Sequence, residues 1–152
     1  MLAQIKRLIS GVNVKEDQVS SSHDRIESAA AALLIEMALM DGKFDAEERT
    51  IILELLATRF GIDREDAAVL IAESEVVVEN AIDLFSFTRV FRDNYEEEER
   101  LEIIEMLWEV AYADGILHDF EANLVRRANG LLNINDRDSG EARKRVLERL
   151  NI

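Results

Sequence analysis

Glu36-Met37-Ala38-Leu39-Met40-Asp41-Gly42, followed by Lys43-Phe44-Asp45-Ala46-Glu47-Glu48, is the stretch on which the reading of this chain turns. A second copy stands 73 residues later as Glu109-Val110-Ala111-Tyr112-Ala113-Asp114-Gly115, followed by Ile116-Leu117-His118-Asp119-Phe120-Glu121. At that constant offset Glu36 matches Glu109, Ala38 matches Ala111, Asp41-Gly42 matches Asp114-Gly115 and Glu48 matches Glu121. Each copy reads as helix, tight turn, helix, with glycine where a helix C-terminus favours a residue of positive φ. The pattern predicts a pseudo-twofold internal duplication with acidic groups at both turns.

Composition bounds what such a chain does. Its 152 residues suit one domain, and 48% apolar content is ample for one packed core. Proline is absent and only six glycines occur, so the chain is expected to be all-α, with about seven to eight helices. No run approaches the ~20 apolar residues of a membrane span, and the first residues do not read as a secretory signal. Cysteine is absent, which removes disulfides and thiolate metal sites; a cytoplasmic location is expected. With 32 acidic against 18 basic residues the formal charge is −14, which repels phosphate backbones and argues against nucleic acid as a partner. Cations or basic protein surfaces suit it better, although excess acid also serves solubility alone.

Taken in order, residues 2–9 are expected to form a short helix with Leu2, Ile5 and Ile9 on one face; eight residues cannot hold a helix alone, so docking is expected, most simply on its own domain. Gly11 to Ser22 reads as a linker. This places a short helix and linker at 1–22 and one helical domain at 23–152, with repeat halves at about 23–75 and 96–150. A first long helix is expected from an N-cap at Ser22 to Asp41. The next starts at Asp45 with Glu48 at its third position, a capping box, and stops at Gly61. Asp63 caps another, with a break expected across Glu73–Asn80 because Val76-Val77-Val78 is β-branched. Further helices are expected over Ala81–Phe91, Glu97–Asp114 and Asp119–Leu132, and a last one capped by Asp136. Phe85, Phe87, Phe91 and Tyr95 read as core between the halves, and the basic residues late in the last helix suit its dipole.

The carboxylates at the turns are the candidate chemistry. Asp41 lies four residues after Met37 and Asp114 three after Ala111, on the core-facing side of their helices. Glu48 precedes Ile51, Ile52 and Leu55 at the same steps by which Glu121 precedes Leu124, Val125 and Ala128. Glu36 is expected to point away and be solvated. An aspartate in a last helical turn opposes the helix dipole, and the violation occurs twice at matched positions. Inward carboxylates need donors, a proton or a counter-cation, and oxygen ligands suit Ca²⁺ or Mg²⁺. Helix capping satisfies the same groups without metal, so both readings stand at this level. The spacing is not that of an EF-hand loop.

The paired Ala-x-x-Asp-Gly turns, Ala38 to Gly42 and Ala111 to Gly115, each with Glu seven residues after the Asp, resemble the TerB-like family, named for tellurite resistance. The likeness covers residues 24–150, and the Arg100–Glu121 stretch is similar to small stand-alone members. It implies an all-helical domain of about seven helices with pseudo-twofold repeats, an acidic divalent-cation site and a link to metal or chemical stress. Carried over by position, the ligands are Asp41, Asp45 and Glu48 in one half, and Asp114 and Glu121 in the other. Asp45 faces His118 at the same offset, so the halves are not chemically equal; Asp119 is a possible substitute. The resemblance supports no action on tellurite, an oxyanion that acidic groups repel.

The function expected is a non-enzymatic helical module that holds a divalent cation between its turns and presents a surface to an unidentified protein partner. A metal-free structural adaptor is the alternative. A carboxylate-metal enzyme is the third reading, and it lacks support in the motifs. The two histidines, His23 and His118, do not follow a Glu by three as di-iron bundles require, and no triad or phosphate loop is visible.

Overall fold

A computed structural model describes the backbone of residues 14–41, 44–81, 85–113 and 115–152, and side chains from Arg25 onward except those of Asp41 and Phe85. The helix expected over 2–9 lies outside the described residues, as do Gly42 and Asp114. The described chain is all-α: α1 Val14–Ala38 with a 3₁₀ turn Leu39–Asp41, α2 Ala46–Phe60, α3 Arg64–Glu79, α4 Phe85–Asn94, α5 Glu97–Ala111, α6 Asp119–Leu131 and α7 Asp136–Leu150.

α1 is the hub. Ala29 to Ile35 are all buried, with no solvent-facing residue in two turns, which marks a helix enclosed on every side. Four alanines in that run let neighbouring helices approach closely, and α1 packs against α2, α3, α4 and α5. α5 is the second enclosed helix, buried from Ile103 to Trp108, and it packs on α1, α2, α6 and α7. α4 rests on α1 and α6 and contributes Phe87 and the fully buried Phe91 to the core. Tyr95, just past α4, is half-buried and leans on the Phe91 ring at 5.5 Å.

Helix boundaries and contacts recur along the chain. α1 and α5 end 73 residues apart, α2 and α6 begin 73 apart, and α3 and α7 begin 72 apart. Within residues 14–79 each of α1, α2 and α3 touches the other two, and α5, α6 and α7 do the same. In both triplets the first and third helices make the most extensive contact.

The structure corrects several expectations. Residues 14–22 are helix, not linker, and Ser22 lies inside α1 rather than capping it. Nothing from Val14 to Asp41 is Gly or Pro, and serine costs only a few tenths of a kcal/mol against alanine in a helix, too little to stop one anchored by so much buried surface. The break expected across Glu73–Asn80 is absent: α3 runs through Val76-Val77-Val78, because Ser74 and Val78 continue the buried face set by Ala67, Leu70 and Ile71. Tertiary burial overrides the weak β-branched penalty there. α5 stops at Ala111 rather than at Asp114, and α7 is capped by Asn135, one residue before the Asp136 expected. Asn135 Oδ1 accepts from the Asp138 N–H at 2.8 Å.

Candidate functional site

The first turn is organised by the start of α2. Asp45 has an extended backbone, which aims its carboxylate at the open end of the helix. Its Oδ1 accepts from the Glu48 N–H at 2.8 Å, and Glu48 Oε1 accepts in return from the Asp45 N–H at 3.3 Å. Two of the four unpaired N-terminal amides are met in this way. Glu48 is buried while Asp45 is exposed, so the pair straddles the surface. Next to it the Arg49 guanidinium lies 4.5 Å over the Phe44 ring and pairs with Glu75 at 2.7 Å, which ties the turn to α3.

The second turn has the same frame with different chemistry. Gly115 takes φ 82°, a left-handed backbone that a Cβ would strain, and its N–H closes on the Tyr112 carbonyl at 2.9 Å. His118 stands at the N-cap of α6 with an extended backbone, and its N–H donates to Glu121 Oε1 at 3.1 Å. The His118 ring stacks flat on Phe120, with centroids 5.4 Å apart. Glu121 is 6% exposed, as is Glu48 at the matched position.

Of the five candidate ligands, Glu48 and Glu121 are therefore buried as expected, and Asp45 is an exposed cap. The Asp41 side chain and all of Asp114 lie outside the described residues. Asp119 is exposed at the first position of α6. Among the described residues no group of three or more His, Asp or Glu side chains comes together as a metal-holding cluster.

One flanking glutamate departs from the reading of the sequence. Glu36 is half-buried, not solvated; burial raises its carboxyl above the ordinary range, and the nearby Arg127 charge pulls it partly back. Its counterpart Glu109 pairs with Arg149 at 3.1 Å, and Arg149 also reaches the buried Glu105 at 3.3 Å, which Arg145 meets at 3.5 Å. Arg143 donates to the Tyr112 hydroxyl at 2.6 Å and lies over Trp108, whose indole N–H donates to the Ser139 carbonyl. Arg143, Arg145 and Arg149 thus lock α7 to α5 and the turn that follows it. The acids at 105 and 109 and the arginines at 145 and 149 repeat at helical spacing on both helices, and this was the signal in the sequence for the pairing.

Beside the second turn lies a half-open cleft of about 240 Å³ between α2, the end of α5 and Leu150. Its walls include Ile51, Leu55, Tyr112 and Ala113, and its two carboxylates, Glu54 and Glu109, are engaged by Arg64 and Arg149. It offers no convergent set of polar groups for chemistry.

Fold and turns together define a class: an all-helical domain whose helix-turn-helix units begin with a glutamate folded back on its own cap. Over residues 27–144 the chain matches the family model described as tellurite resistance protein TerB, and it belongs to that family. This membership is consistent with a protein that is not an enzyme. Comparison with curated proteins and with solved structures returned no match. Among the described residues no helix is long and apolar enough to cross a membrane.

Proposed function

We propose that this chain is a non-enzymatic helical module, built by internal duplication, that holds a divalent cation between its two acidic turns and presents the resulting surface to a protein partner in a metal or chemical stress response. The observation that carries the reading is the matched burial of Glu48 and Glu121. Two carboxylates 73 residues apart are both 6% exposed at the third position of a helix, each beside an Asp-Gly turn. Burying a carboxylate is costly, and a cation shared by two at equivalent places would add to the cap N–H that each already accepts. The donor set, Asp41, Asp45, Glu48, Asp114 and Glu121, is all oxygen, which fits Ca²⁺ or Mg²⁺ and excludes soft metals. The cation would supply the positive charge that offsets the two inward glutamates and would join the α1–α2 hairpin to the α5–α6 hairpin. Recurrence of the helix boundaries at 73 and 72 residues, with the same packing pattern in each triplet, supports the duplication.

Calorimetric titration of the full chain with Ca²⁺ and with Mg²⁺ tests this, repeated on the Asp41→Asn, Asp114→Asn double variant. Binding heat and a raised melting temperature are expected for the parent chain and not for the variant. Absence of both from the parent chain removes the cation from the account. A metal-free adaptor would then stand, and the capping bonds at Asp45, Glu48 and Glu121 favour that second reading because they engage these acids with backbone amides.

A further inference from the structure

The outer face of α3 is apolar where a solvated helix gains nothing from it. Ala67, Leu70, Ile71, Ser74 and Val78 point into the core, and α3 packs on α1 and α2. The opposite meridian carries, at helical spacing, Glu65, Ala68, Val69, Ala72, Val76 and Glu79, all exposed. Val69 is 38% and Val76 57% exposed, and Val77 beside them is 47% exposed. Valine at a solvated helix position loses side-chain freedom without the return of burial, so alanine or a charged residue would suit α3 better there. Three such valines on one helix mark a face that finds its cover elsewhere.

The charge around this stripe has one sign. From Glu65 to Thr88 the chain holds no Lys, Arg or His. Glu65 and Glu79 stand at the two ends of the stripe, with Glu73 on one flank. Glu75, on the other flank, is paired with Arg49, and Arg64 is paired with Glu54, so these two cations are already engaged. Glu79 sits in the last turn of α3, where no basic residue meets the negative end of the helix dipole. These charges select the occupant. Anionic lipid headgroups and nucleic-acid phosphates are repelled by the acids. The α3 of a second copy would set the same acids against one another. A helix whose apolar stripe is flanked by Lys or Arg matches both features: its apolar side chains cover the valines, and its cations meet the acids while their aliphatic stems extend the covered area.

We propose that the outer face of α3 is the docking surface for a basic amphipathic helix of a partner protein, which lays its apolar stripe along Val69, Ala72 and Val76 and its cations against Glu73 and Glu79. This names the class of partner for the module described above and rests on that reading only for the existence of a partner; α3 carries none of the candidate ligands, so docking does not need the cation. The test uses the full chain and a fluorescein-labelled synthetic peptide of about 18 residues, long enough when helical to span the 16 residues of α3. Its leucines follow i, i+3, i+4, i+7 spacing and are flanked by lysines. Fluorescence anisotropy at physiological salt, in chelator and again in millimolar Ca²⁺, reads the affinity, and backbone amide NMR of the parent chain maps the contact. Saturable binding is expected in both buffers, with the largest amide shifts between Glu65 and Asn80. Val69→Ser with Val76→Ser is expected to weaken it about tenfold, as two apolar side chains are lost from a covered face. Glu73→Gln with Glu79→Gln is expected to weaken it about threefold. Glu98→Gln with Glu102→Gln, the same charge change at exposed positions of α5, is expected to leave it unchanged. Thermal melts check that each variant is folded. Binding in chelator beside a calorimetric titration without cation heat would remove the cation and leave this surface standing. No saturable binding, binding in Ca²⁺ alone, shifts centred outside α3, equal weakening by the α5 control, or sedimentation showing two copies joined through α3 would each overturn the proposal.

Discussion

Asp45→Ala is expected to lower stability by about 1 kcal/mol, the usual cost of exchanging a side chain that caps a helix N-terminus for alanine. The magnitude follows from the geometry of the first turn. The bond from the Glu48 N–H to Asp45 Oδ1 is 2.8 Å and well made, while the return bond to Glu48 Oε1 is 3.3 Å and weaker. Asp45 is exposed, so water partly replaces the lost acceptor and the cost stays well below that of an orphaned buried donor. For a domain of this size the loss corresponds to a fall in melting temperature of about 2–4 °C. Circular dichroism melts at 222 nm in chelator measure it directly, and the Asp45→Ala, Glu48→Ala cycle isolates the reciprocal bond. Melts repeated in millimolar Ca²⁺ separate capping from ligation, since a cap loses the same amount in both buffers whereas a ligand loses more when the cation is present. An unchanged melting temperature, or a loss above about 3 kcal/mol in chelator, refutes the capping geometry, because neither fits one exposed cap.

Other perturbations test the packing around the turns. Phe91→Ala, at a side chain with 0% exposure, is expected to cost about 3–5 kcal/mol in urea unfolding through the cavity it opens. Arg149→Met removes the links to Glu105 and Glu109 and is expected to cost about 1–3 kcal/mol, since Glu105 is buried; Arg137→Met, in an exposed pair with Glu141, is expected to change stability by less than about 0.5 kcal/mol. Glu36 supplies a pH test. Its folded-state carboxyl titrates above its unfolded value, so the folded state binds the proton more tightly and stability falls as pH rises from the ordinary carboxylate range through the raised value. Glu36→Gln is expected to be more stable than the parent at pH 7 and to flatten that slope, as read from urea melts across mildly acidic to neutral pH.

The parts of the fold that local chemistry decides were legible in the residues. Asp45 and Asp63 cap helices where short acceptors precede apolar periodicity, Gly61 ends α2 with a left-handed backbone, and Gly115 takes a left-handed backbone in the turn after α5. Burial of Glu48 and Glu121 followed from helical spacing alone. What sequence missed depends on packing that periodicity does not encode. Serines 20–22 sit in α1, and valines 76–78 prolong α3, because buried neighbours outweigh intrinsic propensities of a few tenths of a kcal/mol. Glu36 was misplaced for a related reason: a helix enclosed by four neighbours leaves little free surface, so a residue off the apolar stripe still meets another helix and, here, the charge of Arg127. The α5–α7 arginine and glutamate pairs are long-range in sequence and needed the fold to join them.

The account rests on carboxylates from both halves sharing one cation. An anomalous difference map from crystals of the full chain grown in calcium measures this most directly. The account predicts one strong peak with oxygens of Asp41, Glu48, Asp114 and Glu121 about 2.3–2.6 Å away. A map without that peak, with Asp41 and Asp114 each accepting only the amides of its own turn, would contradict it.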